Sequence, residues 1–268
     1  MNARSPSRRP SARRYVMALG CMVVPLLASA ASPQTKGERG AQAQDVDPLA
    51  IDVLRAVSQP LERAQRFSFK ARIGEEQPAT DGQVVTLFHT VEVSVQRPDK
   101  VHIVFTRDGR RVDFIGSQGR VTMYAPREKV YTVLQTAKTI DETLNQLGAK
   151  AVDIPITPFL RSNLFELAAH SVTGAYVVGR TELDGKTVHQ LAFTAPDANW
   201  QAWVTGGSQP RFVRVEIVNK GLPSAPRTTI EFLTWNLAPR FSGAEFTFQK
   251  PTDAKYASIR SDSGGELK

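Results

Sequence analysis

Residues 85–99 read VTLFHTVEVSVQRPD. Val85, Leu87, His89, Val91, Val93 and Val95 alternate with Thr86, Thr90, Glu92 and Ser94. Successive side chains on a strand point to opposite faces, so this two-residue rhythm predicts one long strand, apolar on one side and polar on the other. Arg97-Pro98-Asp99 ends it, because proline cannot donate to a sheet ladder. Toward the N-terminus, Phe67, Phe69, Ala71 and Ile73 repeat the rhythm. Toward the C-terminus it continues through Val101, Ile103 and Phe105, then Val112 and Phe114, Val121 and Met123, and Val130 to Leu134. Turns at Asp108-Gly109, Gly116, Gly119 and Pro126 punctuate these runs. Further runs lie at 175–181, 188–195, 200–204, 212–218, 228–235 and 245–248. Turn signals recurring every ~8–12 residues mark an up-and-down antiparallel sheet, here of eleven or twelve strands.

Three segments carry helical spacing instead. Asp47-Pro48 is an N-cap followed by proline at the first helical position, and Ala50, Leu54, Val57 and Leu61 form an apolar stripe behind it. Thr139 with Glu142 makes a capping box before Ile140, Leu144 and Leu147, with Gly148 closing the helix. After Pro155 and Pro158, a third segment holds Phe159, Leu160, Leu164, Phe165 and Leu167. The sequence therefore predicts one α+β domain over residues 47–250, preceded by a polar spacer at 31–46 and followed by a flexible tail at 251–268.

The first thirty residues read as a secretory signal peptide. Arg4, Arg8, Arg9, Arg13 and Arg14 precede the apolar run Tyr15–Ala30, and Ala28-Ser29-Ala30 supplies the small residues that a signal peptidase needs. Cleavage near Ala30 predicts a periplasmic product. The sole cysteine, Cys21, lies inside this leader; most of the apolar run follows it, so a lipid anchor there is the weaker reading. Five of the 34 Lys and Arg, and none of the 26 Asp and Glu, fall in the leader. That leaves 29 basic against 26 acidic residues, a charge of +3 with signs intermixed, which argues against nucleic acid as a partner.

No catalytic constellation stands out. His89, His102, His170 and His189 are isolated from one another, and neither a Gly-x-Ser-x-Gly elbow nor a phosphate-cradling glycine loop occurs. The expectation is a protein without enzyme activity, metal or cofactor.

Several short stretches, taken as a set, resemble the uncharacterised predicted periplasmic proteins of the LolA/LolB-like lipoprotein-carrier superfamily. They are Phe67-Ser68-Phe69, Val95 to Lys100, Met123 to Pro126, Val130-Tyr131, Thr139 to Asp141, Asp197 with Trp200 to Trp203, and Trp235 to Pro239. The resemblance implies a LolA-like fold: a single curved antiparallel sheet of about eleven strands, unclosed like half a barrel, with helices plugging its concave face. It further implies a carrier for an apolar ligand such as a lipid or acyl chain, with an envelope lipoprotein or membrane protein as a further partner. Helices at 139–148 and 157–169 would form a lid over a cavity lined partly by Phe114, Tyr124, Phe159, Leu164, Phe165 and Trp203. The carriers latch such a lid with an arginine, and Arg72 and Arg161 are the candidates by location. The alternative is a non-catalytic envelope interaction protein whose core is closed.

Overall fold

The computed structural model describes residues 45–148 and 154–258. The leader, Cys21, residues 31–44 of the spacer and residues 259–268 lie outside the described residues. Helix α1 (Pro48–Arg63) opens the fold, with the Asp47 side chain accepting from the Leu49 amide at 2.9 Å. Six strands follow in a meander: β1 (Arg66–Pro78), β2 (Val84–Gln96), β3 (Lys100–Arg107), β4 (Arg110–Ser117), β5 (Arg120–Ala125) and β6 (Val130–Gln135). Helix α2 (Ile140–Gly148), a 3-10 turn at Thr157–Leu160 and α3 (Leu164–Ala169) interrupt them. A second meander completes the chain: β7 (Gly174–Leu183), β8 (Lys186–Thr194), β9 (Ala198–Thr205), β10 (Phe212–Asn219) and β11 (Arg227–Asn236).

The two meanders join where β11 pairs antiparallel with β1, Phe69 opposite Trp235 and Ile73 opposite Ile230. With the short β12 (Lys255–Tyr256), the result is one unclosed sheet in the order β12-β6-β5-β4-β3-β2-β1-β11-β10-β9-β8-β7. With helices on one face, it is an α+β half-barrel.

Two details depart from the sequence expectation. The run 245–248 is no strand: Gly243–Phe246 forms a 3-10 turn whose Phe246 is buried. A run of four residues with Phe at 246 and 248 satisfies the alternation rule, but it is too short to exclude a turn. Residues 251–258, expected to fray, instead carry β12 (Lys255–Tyr256), which pairs parallel with Val130–Tyr131 of β6. Lys129 and Asp253 make an ion pair at 2.7 Å beside it, and Tyr256 packs edge-on against Tyr131. Polar composition hid this strand because its contacts are made by backbone, one ion pair and one ring.

The helices divide the inner face unequally. Ala50, Leu54, Val57 and Leu61 of α1 pack with Phe67, Phe69, Phe193, Phe212, Val215 and Phe232 into a closed core over β1 and β8–β11. Glu62 of α1 accepts from the Phe165 amide at 2.6 Å and so fixes the start of α3 against α1. Over β3–β6, by contrast, the nine-residue α2 presents only Ile140 and Leu144 as buried apolar side chains among its described ones. The capping box reads as the sequence predicts, with the Glu142 amide donating to Thr139 Oγ1 at 3.2 Å.

The outer face is charged. Arg72 donates to Glu231 (Nε to Oε2 2.7 Å), Arg227 pairs with Glu216 at 2.9 Å, and Lys70 with Glu92 at 2.7 Å. Such pairs on strands contribute a few tenths of a kcal/mol to about 1 kcal/mol each.

Candidate functional site

Where α2 fails to fill the sheet, a cavity of about 480 Å³ remains. Its floor is Val101, Ile103 and Phe105 of β3, Val112 and Phe114 of β4, and Val121 and Met123 of β5. Its roof is Ile140 and Leu144 of α2 with Ile154 to Thr157 and Leu160. Val101 and Phe105 are four positions apart, so the floor runs about 13 Å along the strands. Most of the lining is hydrocarbon. Gly116 deepens the floor: a Cβ there would sit 2.7 Å from Val101 Cγ1, so only glycine fits without moving that valine.

Polar groups gather at the two ends. His89 and Glu75 stand near one end, and Asp99, Ser117 and Arg120 at the other. His89 is 5% exposed, with its ring 4.4 Å from that of Phe105. Glu75 Oε2 lies 3.7 Å from His89 Nδ1, too far for a hydrogen bond. Burial first, and then the positive charge of Arg107, push the imidazole pKa below its ordinary 6.5. In the unfolded chain this histidine takes up a proton as pH falls through 6.5, whereas the folded protein resists it. The stability it allows above that pH is therefore lost progressively below it. The urea midpoint is expected to fall between pH 7 and pH 5, and to fall less in His89→Gln; equal falls in both proteins would contradict this account.

Of the sequence-predicted lining residues, Phe114 lies in the cavity floor. The other five lie elsewhere. Tyr124 points to the outer face, 5.3 Å from Phe248, because Val121 and Met123 take the inward positions of β5. Phe159 and Leu164 are packed in the closed core, Phe159 against Phe212 at 5.4 Å and Phe232 at 4.8 Å. Phe165 lies under the Arg55 guanidinium, 4.0 Å from its ring centre. Trp203 faces outward beneath Arg214, while Trp200 stacks on Phe193 at 3.8 Å. The odd separation of the two tryptophans predicts opposite faces, and it is Trp200 that packs with the core.

The two candidate latch arginines lie in different places. Arg72, flanked by the inward residues Ala71 and Ile73, sits on the outer face and pairs with Glu231. Arg161 does reach α2, donating to Asn145 Oδ1 at 2.6 Å. The arginine that gathers the helices is Arg97, at the end of β2. Its guanidinium donates to the carbonyls of Leu160 (2.9 Å), Arg161 (2.8 Å) and Ala64 (3.2 Å), over the ring of Phe67 at 5.3 Å. Burial lowers its pKa from the usual 12.5, against the opposing pull of Asp141 and Glu62, and it remains a cation. Asp141 completes the junction by accepting from the Ser162 amide at 3.0 Å and its hydroxyl at 2.7 Å. The sequence signal was position: Arg97 follows the last inward valine of the longest alternating strand, where a side chain reaches across the open end of the sheet.

Among the described residues, no group of three or more His, Cys, Asp or Glu side chains is placed to hold a metal ion, and no helix is long and apolar enough to cross a membrane.

Comparison with known proteins gives a family and a set of distant structural likenesses. The chain is similar to the lipoprotein LppX of Mycobacterium tuberculosis (15% identity, 72% of this chain and 98% of that one, TM-score 0.47). It is similar to LprF of Mycobacterium bovis (15%, 78% and 99%, TM-score 0.47). It is also similar to a LolA superfamily protein of Nitrosomonas europaea (10%, 74% and 97%, TM-score 0.39). No curated protein matches it. A family described as predicted periplasmic protein (DUF2092) matches residues 50–260. The chain belongs to that DUF2092 family of predicted periplasmic proteins.

Proposed function

We propose that this protein binds and carries an apolar ligand, the acyl chain of a lipid or of an acylated protein, in the cavity between β3–β5 and α2. The observation that carries the reading is the apolar hollow of about 480 Å³, a size typical of small-molecule sites. The closed-core alternative needs that space filled by the protein's own side chains, and the hollow among the described residues favours the carrier reading over it. Each buried methylene is worth ~0.8 kcal/mol, so about ten of them supply ~8 kcal/mol before ordering costs, a micromolar-range interaction. Arg97, Arg161 and Asp141 act on this reading as the junction that holds the roof over the ligand. No covalent chemistry is required of the site.

Native mass spectrometry of gently purified protein, followed by lipid extraction, tests the proposal. A co-purifying acyl species, or uptake of an acyl probe by the emptied protein, is the expected result. A ligand-free mass together with no uptake overturns it. Val121→Trp sharpens the test, because an indole at that inward position occupies the hollow. Probe affinity is expected to fall at least tenfold. Overpacking usually costs about 1–3 kcal/mol, but here vacant space receives the ring, so the unfolding free energy from urea titration should hold within about 1 kcal/mol. Unchanged affinity in a folded Val121→Trp would place the ligand elsewhere.

A further inference from the structure

A second hollow, also about 480 Å³, lies on the outer face of β4–β6 beneath the C-terminal segment that runs through Phe246 and Phe248 to Lys250. Its character is opposite to that of the first. Lys100, Arg120 and Lys250 converge on it, together with the hydroxyls of Ser117, Thr122 and Tyr131, and no Asp or Glu lines it. None of the ion pairs among the described residues involves any of the three cations. Lys250 does lie over the ring of Tyr131, 5.9 Å from its centre. On neighbouring strands several outer-face arginines are paired, Arg72 and Arg214 with Glu231 and Arg227 with Glu216. Three unpaired cations around hydroxyl donors make a pocket suited to an anion with several acceptor oxygens, with the guanidinium fork of Arg120 able to grip two of them.

The two hollows meet at one place. Ser117 and Arg120 line both. They are opposite partners at the end of the β4–β5 hairpin, joined by the two-residue turn Gln118-Gly119. A ligand passing over this rim leaves hydrocarbon and enters positive charge within one side-chain length. Asp99 is the one carboxylate at the rim on the cavity side, and its Oδ2 is occupied by the Gln118 amide at 3.3 Å.

We infer that the two hollows form a single amphiphile site, in which an acyl chain lies along β3–β5 and its phosphate-bearing head turns over the β4–β5 rim onto Lys100, Arg120 and Lys250. This deepens the cavity reading above and rests on it. The ligand class is an anionic phospholipid-like molecule, not a neutral glyceride or a sugar-headed lipid.

Calorimetric titration of the mature chain with dodecyl phosphate, dodecyl maltoside and inorganic phosphate, each below any micellar concentration, tests the inference. Hydrogen bonds to charged groups support a preference of about tenfold or more for dodecyl phosphate over dodecyl maltoside. Raising the ionic strength should narrow that preference. The double variant Lys100→Gln, Lys250→Gln should lose most of it while binding dodecyl maltoside as before. Its urea midpoint, measured alongside, should match that of the parent. Equal affinity of the parent for the two amphiphiles overturns the inference and leaves the acyl cavity standing. Failure of both amphiphiles to bind overturns the cavity reading itself. Inorganic phosphate binding as tightly as dodecyl phosphate would make the basic pocket an anion site separate from the cavity, which also overturns the inference.

Discussion

Phe159→Ala is expected to lower the unfolding free energy by about 3–5 kcal/mol and to leave acyl-probe affinity of the folded variant nearly unchanged. The ring is 4% exposed and meets Phe212 and Phe232 edge-on, at 5.4 and 4.8 Å. Phe232 in turn contacts Phe69 at 5.5 Å and Trp235 at 4.6 Å, so one truncation loosens a continuous aromatic cluster. The indole of Trp235 is held by its own bond to the Phe212 carbonyl at 2.8 Å, which limits how far the cluster can collapse into the space left behind. Incomplete collapse is what places large-to-small substitutions at the costly end of their range. Urea denaturation checks the result: the midpoint should fall with the slope unchanged. A loss under about 1 kcal/mol, or a loss of probe affinity without a loss of stability, would return Phe159 to the cavity lining.

That substitution also marks where the sequence was legible. The alternation in 67–73 and 85–95 predicts strands β1 and β2 and names their inward residues, and Phe67, Phe69, Ala71, Ile73, Val91, Val93 and Val95 are all buried. Burial of that kind follows from a local period, so a single sequence carries it. Which inward residues meet a helix and which meet empty space depends on where α1, α2 and α3 settle on the sheet, and no local period encodes that. Large rings such as Phe159 and Trp203 drew attention as ligand contacts, yet a large ring is also what a closed core needs. The cavity is floored instead by ordinary aliphatic positions, Val101, Ile103, Val121 and Met123, whose distinction is only that the described roof residues stand off from them. Phe114, inward on β4 in that same half of the sheet, lies in this floor because the alternation of its own strand put it there. The basic pocket was equally silent, since Lys100, Arg120 and Lys250 are far apart in sequence and are gathered by the return of the C-terminal segment across the outer face.

Arg97→Ala is expected to cost about 3 kcal/mol of stability and to free the roof of the cavity. The side chain donates to three carbonyls, at Ala64, Leu160 and Arg161, and so ties the end of α1 to the segment between the 3-10 turn and α3. A hydrogen bond from a charged donor is worth about 1.5–3 kcal/mol, and a buried acceptor left without a partner costs about 1–3 kcal/mol. The three do not add in full, because water can reach the partly exposed carbonyls once the side chain is gone. Arg97→Lys separates charge from geometry: a lysine keeps the positive charge beside Asp141 and Glu62 but is a point donor in place of a planar fork. It should recover less than half of the loss. Hydrogen exchange localises the effect, with amides of 156–165 expected to exchange faster in Arg97→Ala while those of β8–β10 keep their protection relative to global stability. Because the same segment roofs the hollow, acyl probes should also dissociate faster from Arg97→Ala. A variant that loses stability uniformly, with no preferential exchange at 156–165 and no change in probe dissociation, would make Arg97 an ordinary packing residue and leave the roof held by Arg161 and Asp141 alone.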